Sequence, residues 1–331
     1  MNIDIFDNPE CFVDLEAEWL QLLSRTKINH IFYTPQFQKT WWKHFGTGKL
    51  CVLTFRDNNQ LCGVASLYLE GDDLCIIGNR ELTDYADLII DREKEREVHE
   101  KFVEMLKDGH FNWGKCSFLS VPQHSSTLTK LLQLMKVQAW KIEQVQQNVC
   151  PVITLPKTWE EYLQMVGKKQ RHELRRKLKN IEEEVNPELE VVEDAANLEQ
   201  ALDDFIRLHK LSSEEKAAFW TPAKKAFFKD FAKIAAENNW LKLFFLRIEN
   251  ERIATAFCFD YNNQFFLYNS GYDPNRFGHL SVGVVLTSYT IQKAVELGRD
   301  RYDFLRGDEE YKFRFGAVAE PIYDVTARKM G

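Results

Sequence analysis

The chain has 331 residues, of which 44% are hydrophobic and 28% charged, a composition of ordinary globular protein that excludes disorder, collagen and low-complexity fibre. At roughly 100 to 200 residues per domain the length predicts about two domains, each large enough to bury its own core. A formal net charge of -7 argues against non-specific nucleic-acid binding by the surface as a whole.

The acidic start, Met1 to Asp7, lacks the basic and apolar regions of a signal peptide, and no apolar run approaches the roughly 18 residues of a membrane span, so a cytoplasmic protein is expected. The first predicted helix carries Trp19, Leu22 and Leu23 at helical spacing. Thr34-Pro35 then marks a second helix, with Thr as N-cap and Pro in the first turn. Two strands flank the polar turn Asp57-Asn58-Asn59, the chemistry of a hairpin. After Leu88-Ile89-Ile90 another helix opens on Asp91 to Glu97, where acidic side chains would repel an anion. Before it, Thr83-Asp84-Tyr85-Ala86-Asp87 is the most site-like piece of this half: Asp84 and Asp87 suit either an amino substrate or ordinary turn capping. Strands at Lys115 to Val121 and Lys141 to Val149 bracket a helix near Leu128 to Val137. Pro151 and Pro156 then enclose a short β-branched run that reads as a boundary.

Beyond it the helix Lys168 to Lys179 holds seven cations and one anion, against the sign of the chain. Leu174, Leu178, Ile181 and Val185 form its apolar stripe and leave Arg171, Arg175, Arg176 and Lys179 outward. Such a face suits phosphates of a cofactor, a nucleotide-linked sugar, tRNA or an anionic membrane, or else is a solvated surface balanced by Glu182-Glu183-Glu184.

The pattern of the first half then returns. Phe32-Tyr33-Thr34-Pro35 and Trp41 to Phe45 reappear as Phe219-Trp220-Thr221-Pro222 and Phe227 to Phe231, displaced by 187 and 186 positions. Glu18-Trp19-Leu20 faces Asp204-Phe205-Ile206, and Phe55 to Leu61 matches Leu246 to Ile253. Three blocks in one order indicate a duplication, with domains at 1–150 and 151–331. Each copy reads as helices followed by an antiparallel meander and later strand–helix alternation, which is an α+β fold with a mixed, mostly antiparallel sheet flanked by helices.

In the second copy a strand, Gln264 to Asn269, leads through Ser270 to Pro274 and the loop Asn275 to His279 into a largely apolar helix that begins near Ser281 and ends at Gly298. A short strand, Tyr302 to Leu305, and the segment Gly307 to Gly316 follow. A glycine-containing loop entering a buried helix leaves free N–H groups at a positive dipole end, a ready phosphate site. The seven cysteines are scattered, with no C-x-x-C pair, and read as small buried apolar groups. The eight histidines do not cluster, and no metal site is expected.

The order strand, glycine-containing loop, buried helix, strand over 264–316 resembles the acyl-CoA-binding core of the GNAT acyltransferase superfamily. The duplication, with Tyr302-Asp303-Phe304-Leu305-Arg306-Gly307 and Tyr311-Lys312-Phe313-Arg314-Phe315-Gly316, is similar to tandem-GNAT proteins such as the CelD-type acetyltransferases and the Fem-type aminoacyl transferases. The loop departs from the pyrophosphate pattern Gln/Arg-x-x-Gly-x-Gly/Ala: Arg276-Phe277-Gly278 begins in that style, but position 281 is Ser and the next glycine is Gly283.

The resemblance implies that two parallel strands splay to admit the pantetheine arm, and that Arg276, Ser281, Val282, Gly283, Val284 and Val285 hold the pyrophosphate. A strand N–H near Asn269 would then polarise the thioester. Asp303 is the expected proton acceptor or relay and Tyr311 or Tyr272 the donor, each with a packing role as its alternative. Lys312 and Arg314 suit an anionic substrate or the cofactor phosphates, or a basic face neutralised by Glu309 and Glu310. The reaction implied is acyl transfer from acetyl-CoA or another acyl-CoA to a small-molecule acceptor, which the basic segments would suit to phosphorylated or nucleotide-linked compounds. The substrate cleft is expected between the copies, with the first copy shaping it and holding no cofactor. Two further readings stand beside this one: aminoacyl transfer from tRNA, and a non-catalytic binding protein on the same scaffold.

Overall fold

The computed structural model describes residues 1–329. Its contacts divide the chain into two compact units, Met1–Val149 together with the chain from Glu320 onward, and Cys150–Ala319. The last strand does not follow the sequence boundary, because its Val325 and Ala327 are buried in the core of the first unit.

The first unit runs β1 (Asn2–Phe6), α1 (Cys11–Asp14), α2 (Glu16–Leu23), α3 (Pro35–Phe45), β2 (Lys49–Asp57), β3 (Gln60–Glu70), β4 (Asp73–Ile76), β5 (Ile89–Ile90), α4 (Glu95–Lys107), β6 (Lys115–Pro122) and α5 (Leu132–Val137). β7 (Lys141–Thr154) carries the chain across the division. The second unit continues with α6 (Trp159–Met165), α7 (Lys168–Val185), β8 (Glu188–Val192), α8 (Leu198–Ser212), α9 (Glu214–Phe219), α10 (Pro222–Glu237), β9 (Leu241–Ile248), β10 (Glu251–Tyr261), β11 (Gln264–Tyr272), α11 (Val282–Glu296), β12 (Arg301–Asp303) and α12 (Glu310–Arg314). β13 (Val318–Arg328) returns to the first unit. Strand order is β1-β2-β3-β4-β6-β13 in the first unit and β12-β11-β10-β9-β8 in the second. In each, one parallel pair, β4 with β6 or β11 with β12, interrupts antiparallel neighbours.

The duplicated sequence blocks become equivalent local structures. Thr34 and Thr221 each accept the N–H three residues ahead at 3.2 Å, and proline fills the first turn behind both caps. Such a cap is worth about 1 kcal/mol. Both first hairpins turn on two left-handed residues, Asn58 and Asn59 in one unit, Glu249 and Asn250 in the other. That is the primed turn whose twist matches the strands. Trp19 and Phe205, which share a repeat position, are both wholly buried. Six of the seven cysteines are buried and all are free thiols.

Candidate active site

The second unit opens a gap between β11 and β12, and the backbone shows why. Their parallel pairing covers Gln264↔Arg301, Phe265↔Tyr302 and Phe266↔Asp303 and stops there, while β11 runs on to Tyr272. Just past the last pair, the register of β11 against β10 shifts from Leu267↔Cys258 to Asn269↔Phe257, so Tyr268 is the extra residue of a bulge. A bulge bends its strand and sharpens the twist. On the other side β12 ends because Leu305 turns left-handed, at φ 55, an uncommon conformation for a bulky side chain. Its N–H is captured by Asp303 Oδ1 at 2.7 Å, and Phe304 donates to Pro151 O at 2.9 Å. The strand expected to reach Leu305 therefore stops at Asp303.

Beyond β11 the loop enters α11 through two more left-handed residues, Phe277 at φ 54 and Ser281 at φ 55. Ser281 O accepts from both Val284 and Val285, at 2.9 and 3.1 Å. Those two amides are already used, so four N–H groups are not on offer at the helix start. Val282 and Gly283 are left, with no backbone acceptor among the described residues. A Cβ at Gly283 would stand 3.3 Å from the Tyr272 ring, which places that ring over the first helical turn. Tyr272 is 38% exposed, and its backbone N–H and C=O are both tied to Ser212 Oγ. Arg276, expected on a phosphate, pairs with Glu251 and lies over the Phe277 ring.

Asp303 is wholly buried at the end of β12, beside the gap. Lys312 is buried too, and its partners are groups of its own loop, with Glu309 the neutralising carboxylate of the second reading. Its Nζ donates to the carbonyls of Leu305, Arg306 and Gly307 at 3.3, 2.9 and 3.2 Å and pairs with Glu309 at 2.8 Å. It is the clamp of the loop after β12. The alternation Tyr311 to Arg314 is one helical turn, α12, in which Arg314 pairs with Glu310. Burial, and then Glu309, hold the Tyr311 hydroxyl above the ordinary phenol range. Tyr311 lines a cleft with Val284 of α11, Glu173 and Lys177 of α7, and Arg314. Of the basic α7, Leu174 and Ile181 are buried as the stripe requires. Arg175, Lys177 and Lys179 pair with glutamates, whereas Lys168, Lys169 and Arg176 form no ion pair among the described residues.

One constellation escaped the sequence reading. His209 of α8 lies between Trp220 and Asn269 of β11: Trp220 Nε1 donates to His209 Nδ1 at 3.0 Å, and His209 Nε2 meets Asn269 Oδ1 at 3.0 Å. An indole nitrogen only donates, so Nδ1 must accept and Nε2 must carry the proton. Burial, then nearby Lys216, lower this imidazole to about 3, so it is neutral at physiological pH. Gly271 makes the contact possible, since a Cβ there would come within 2.5 Å of the His209 backbone. Lys216 of α9 donates to Ser270 O, and burial lowers its pKa. The repeat marked Trp220, but nothing in the spacing of His209 and Lys216 ties them to β11.

Among known proteins, the family model described as acetyltransferase (GNAT) domain matches residues 168–313. None of the curated proteins compared matches the chain. The fold is similar to FemX, with a TM-score of 0.70 at 12% identity, covering 98% of this chain and 97% of that one. It is also similar to L-PGS from Bacillus licheniformis, with a TM-score of 0.61 at 11% identity over 98% and 92%. A tandem GNAT protein from the clavulanic acid biosynthesis pathway gives a TM-score of 0.52 at 7% identity over the full length of both chains. Residues 168–313 are thus similar to a GNAT acetyltransferase domain, and the mixed, mostly antiparallel fold of the chain is one that these solved structures share. No helix among the described residues is long and apolar enough to cross a membrane, and no group of three or more metal-ligating side chains occurs among them.

Proposed function

We propose that the protein transfers an acyl group from a CoA thioester to a small-molecule amine or hydroxyl acceptor, with the donor bound in the second unit. The observation that carries this reading is the parallel strand pair that parts after Phe266↔Asp303 beside a helix start with two uncommitted amides, Val282 and Gly283. The gap suits an amide-bearing arm that pairs with strand backbone, and the helix start suits a pyrophosphate. Bound there, the thioester supplies an activated acyl group.

This chain's residues then have distinct tasks. Neutral His209 has its only acceptor nitrogen occupied by Trp220, so it is a positioning residue that holds Asn269 and the end of β11. Asp303 is assigned the acceptor's proton, and Tyr311, protonated well above neutral pH, returns one to the leaving thiolate. Tyr272 covers the first turn of α11. Lys312 keeps the loop after β12 in shape and touches no reacting atom. Free-thiol release from acetyl-CoA, followed across a panel of amines and alcohols, tests the reading: turnover should fall in Tyr311→Phe with donor affinity unchanged. Absence of turnover with every acceptor, despite donor binding, would favour a binding protein.

Aminoacyl transfer from tRNA is the second reading, supported by Lys168, Lys169 and Arg176 of α7, which form no ion pair among the described residues, and by the fold shared with FemX. It requires tRNA binding that weakens steeply with salt and with Lys168→Glu/Lys169→Glu.

A further inference from the structure

The connection from β4 to β5 has no regular strand or helix, yet it is buried from Leu82 through Leu88. Loops normally stay at the surface because buried backbone groups need partners. Here Ala86 N–H reaches Ser120 O at 3.2 Å, and Leu88 N–H is held by Asp87 Oδ1 at 2.8 Å. Asp87 is 8% exposed. Its carboxyl also accepts from the Thr127 hydroxyl at 2.6 Å and from Ser125, and no cation among the described residues pairs with it. Beside it stands Tyr33, 2% exposed, whose hydroxyl has no hydrogen-bond partner among the described residues. Both groups line one narrow pocket within the first unit, together with Glu95, Lys27, His124 and Ser125.

A buried carboxyl served by neutral donors alone and a buried phenol oxygen served by nothing are both unfavourable without a ligand. Their chemistry names what would relieve them. An anion is opposed by the Asp87 carboxylate; Glu95 is paired with Lys130, and Lys27 is turned to the His124 carbonyl on an exposed part of the lining. A neutral alcohol would satisfy Tyr33 but leave the carboxylate charge uncompensated. An ammonium supplies the charge to Asp87 and an N–H to Tyr33 Oη at once. We propose that this pocket binds the ammonium end of a small primary amine, a site of the first unit that is independent of the acyl-donor reading. The pocket is narrow, so it takes the charged end group while the rest of the amine remains outside.

Calorimetric titration with ethanolamine, using ethylene glycol as its neutral counterpart, tests this on the whole protein. Ethanolamine should bind the parent, at least tenfold more weakly in Asp87→Asn and several-fold more weakly in Tyr33→Phe, and equally well in Gly283→Glu. Ethylene glycol should give no heat. Should Asp87→Asn fail to fold, Tyr33→Phe carries the test, since it removes one hydroxyl from a filled position. Failure of ethanolamine to bind the parent, binding that neither variant weakens, or equal binding of ethylene glycol would each overturn the proposal.

Discussion

The two units answer the same structural question in opposite ways at the passage from the third meander strand into the long helix. In the second unit that passage is the partly exposed loop 273–281, which uses two left-handed residues to present the amides of Val282 and Gly283. In the first it is 77–94, largely buried, and it presents the carboxyl of Asp87. One framework therefore gives a helix end suited to an anion and a pocket suited to a cation. At this point of the two meanders the side chains and backbone of one short connection set the charge that is presented, amides in one unit and a carboxyl in the other.

The largest effect concerns the other side of the gap in the second unit, the loop after β12 that Lys312 clamps. Lys312→Met removes the partner of Glu309 and leaves the carbonyls of Leu305, Arg306 and Gly307, the first of them buried, without their charged donor, which should cost about 3 kcal/mol in urea unfolding. A loss below about 1 kcal/mol would return Lys312 to the list of ligand-facing cations.

Next comes Asp87, raised by burial from 3.8 to about 6 while hydroxyl and amide donors oppose the shift. A carboxyl that protonates more readily when folded contributes stability below pH 4, and that contribution is lost as pH rises through 6. Asp87→Asn should therefore stabilise the protein by up to about 2 to 3 kcal/mol at pH 8 and by nothing measurable at pH 4. Equal melting of variant and parent at pH 8 would mean that the carboxylate is already compensated.

A smaller effect attends Trp220→Phe. Without the indole donor, His209 Nδ1 loses the bond that fixes its tautomer, at about 1 kcal/mol of stability. Nitrogen NMR should show one neutral tautomer in the parent and a mixture in the variant. A protonated His209 at pH 6 in the parent would contradict its assignment as a neutral positioning residue.

Much of the frame was readable from sequence because the signals were local. Thr-Pro caps, paired polar turn residues and the stripe Leu174, Leu178, Ile181, Val185 depend on neighbours within a turn or two. The end of β12 at Asp303 was missed because it follows from a left-handed Leu305, and no spacing announces that. Of the two readings of Lys312, the pairing with Glu309 was legible from its neighbours, whereas its three carbonyl partners were not, because backbone atoms carry no sequence signature. The return of β13 to the first unit is a long-range pairing, with Ile322 opposite Pro122, and the boundary prolines are silent on it. His209 meets Asn269 only because Gly271 admits α8 against β11, a contact between residues 60 apart.

The central claim is that the helix start at Val282 and Gly283 holds the pyrophosphate of an acyl donor. Calorimetric titration of the parent and of Gly283→Glu with acetyl-CoA tests it most directly, because the added carboxylate lies at the two free amides. The expected result is one binding site in the parent, weakened at least about 100-fold in the variant, while ethanolamine binding stays the same. A parent that binds no acetyl-CoA, or a variant that binds it as well as the parent, would contradict the account.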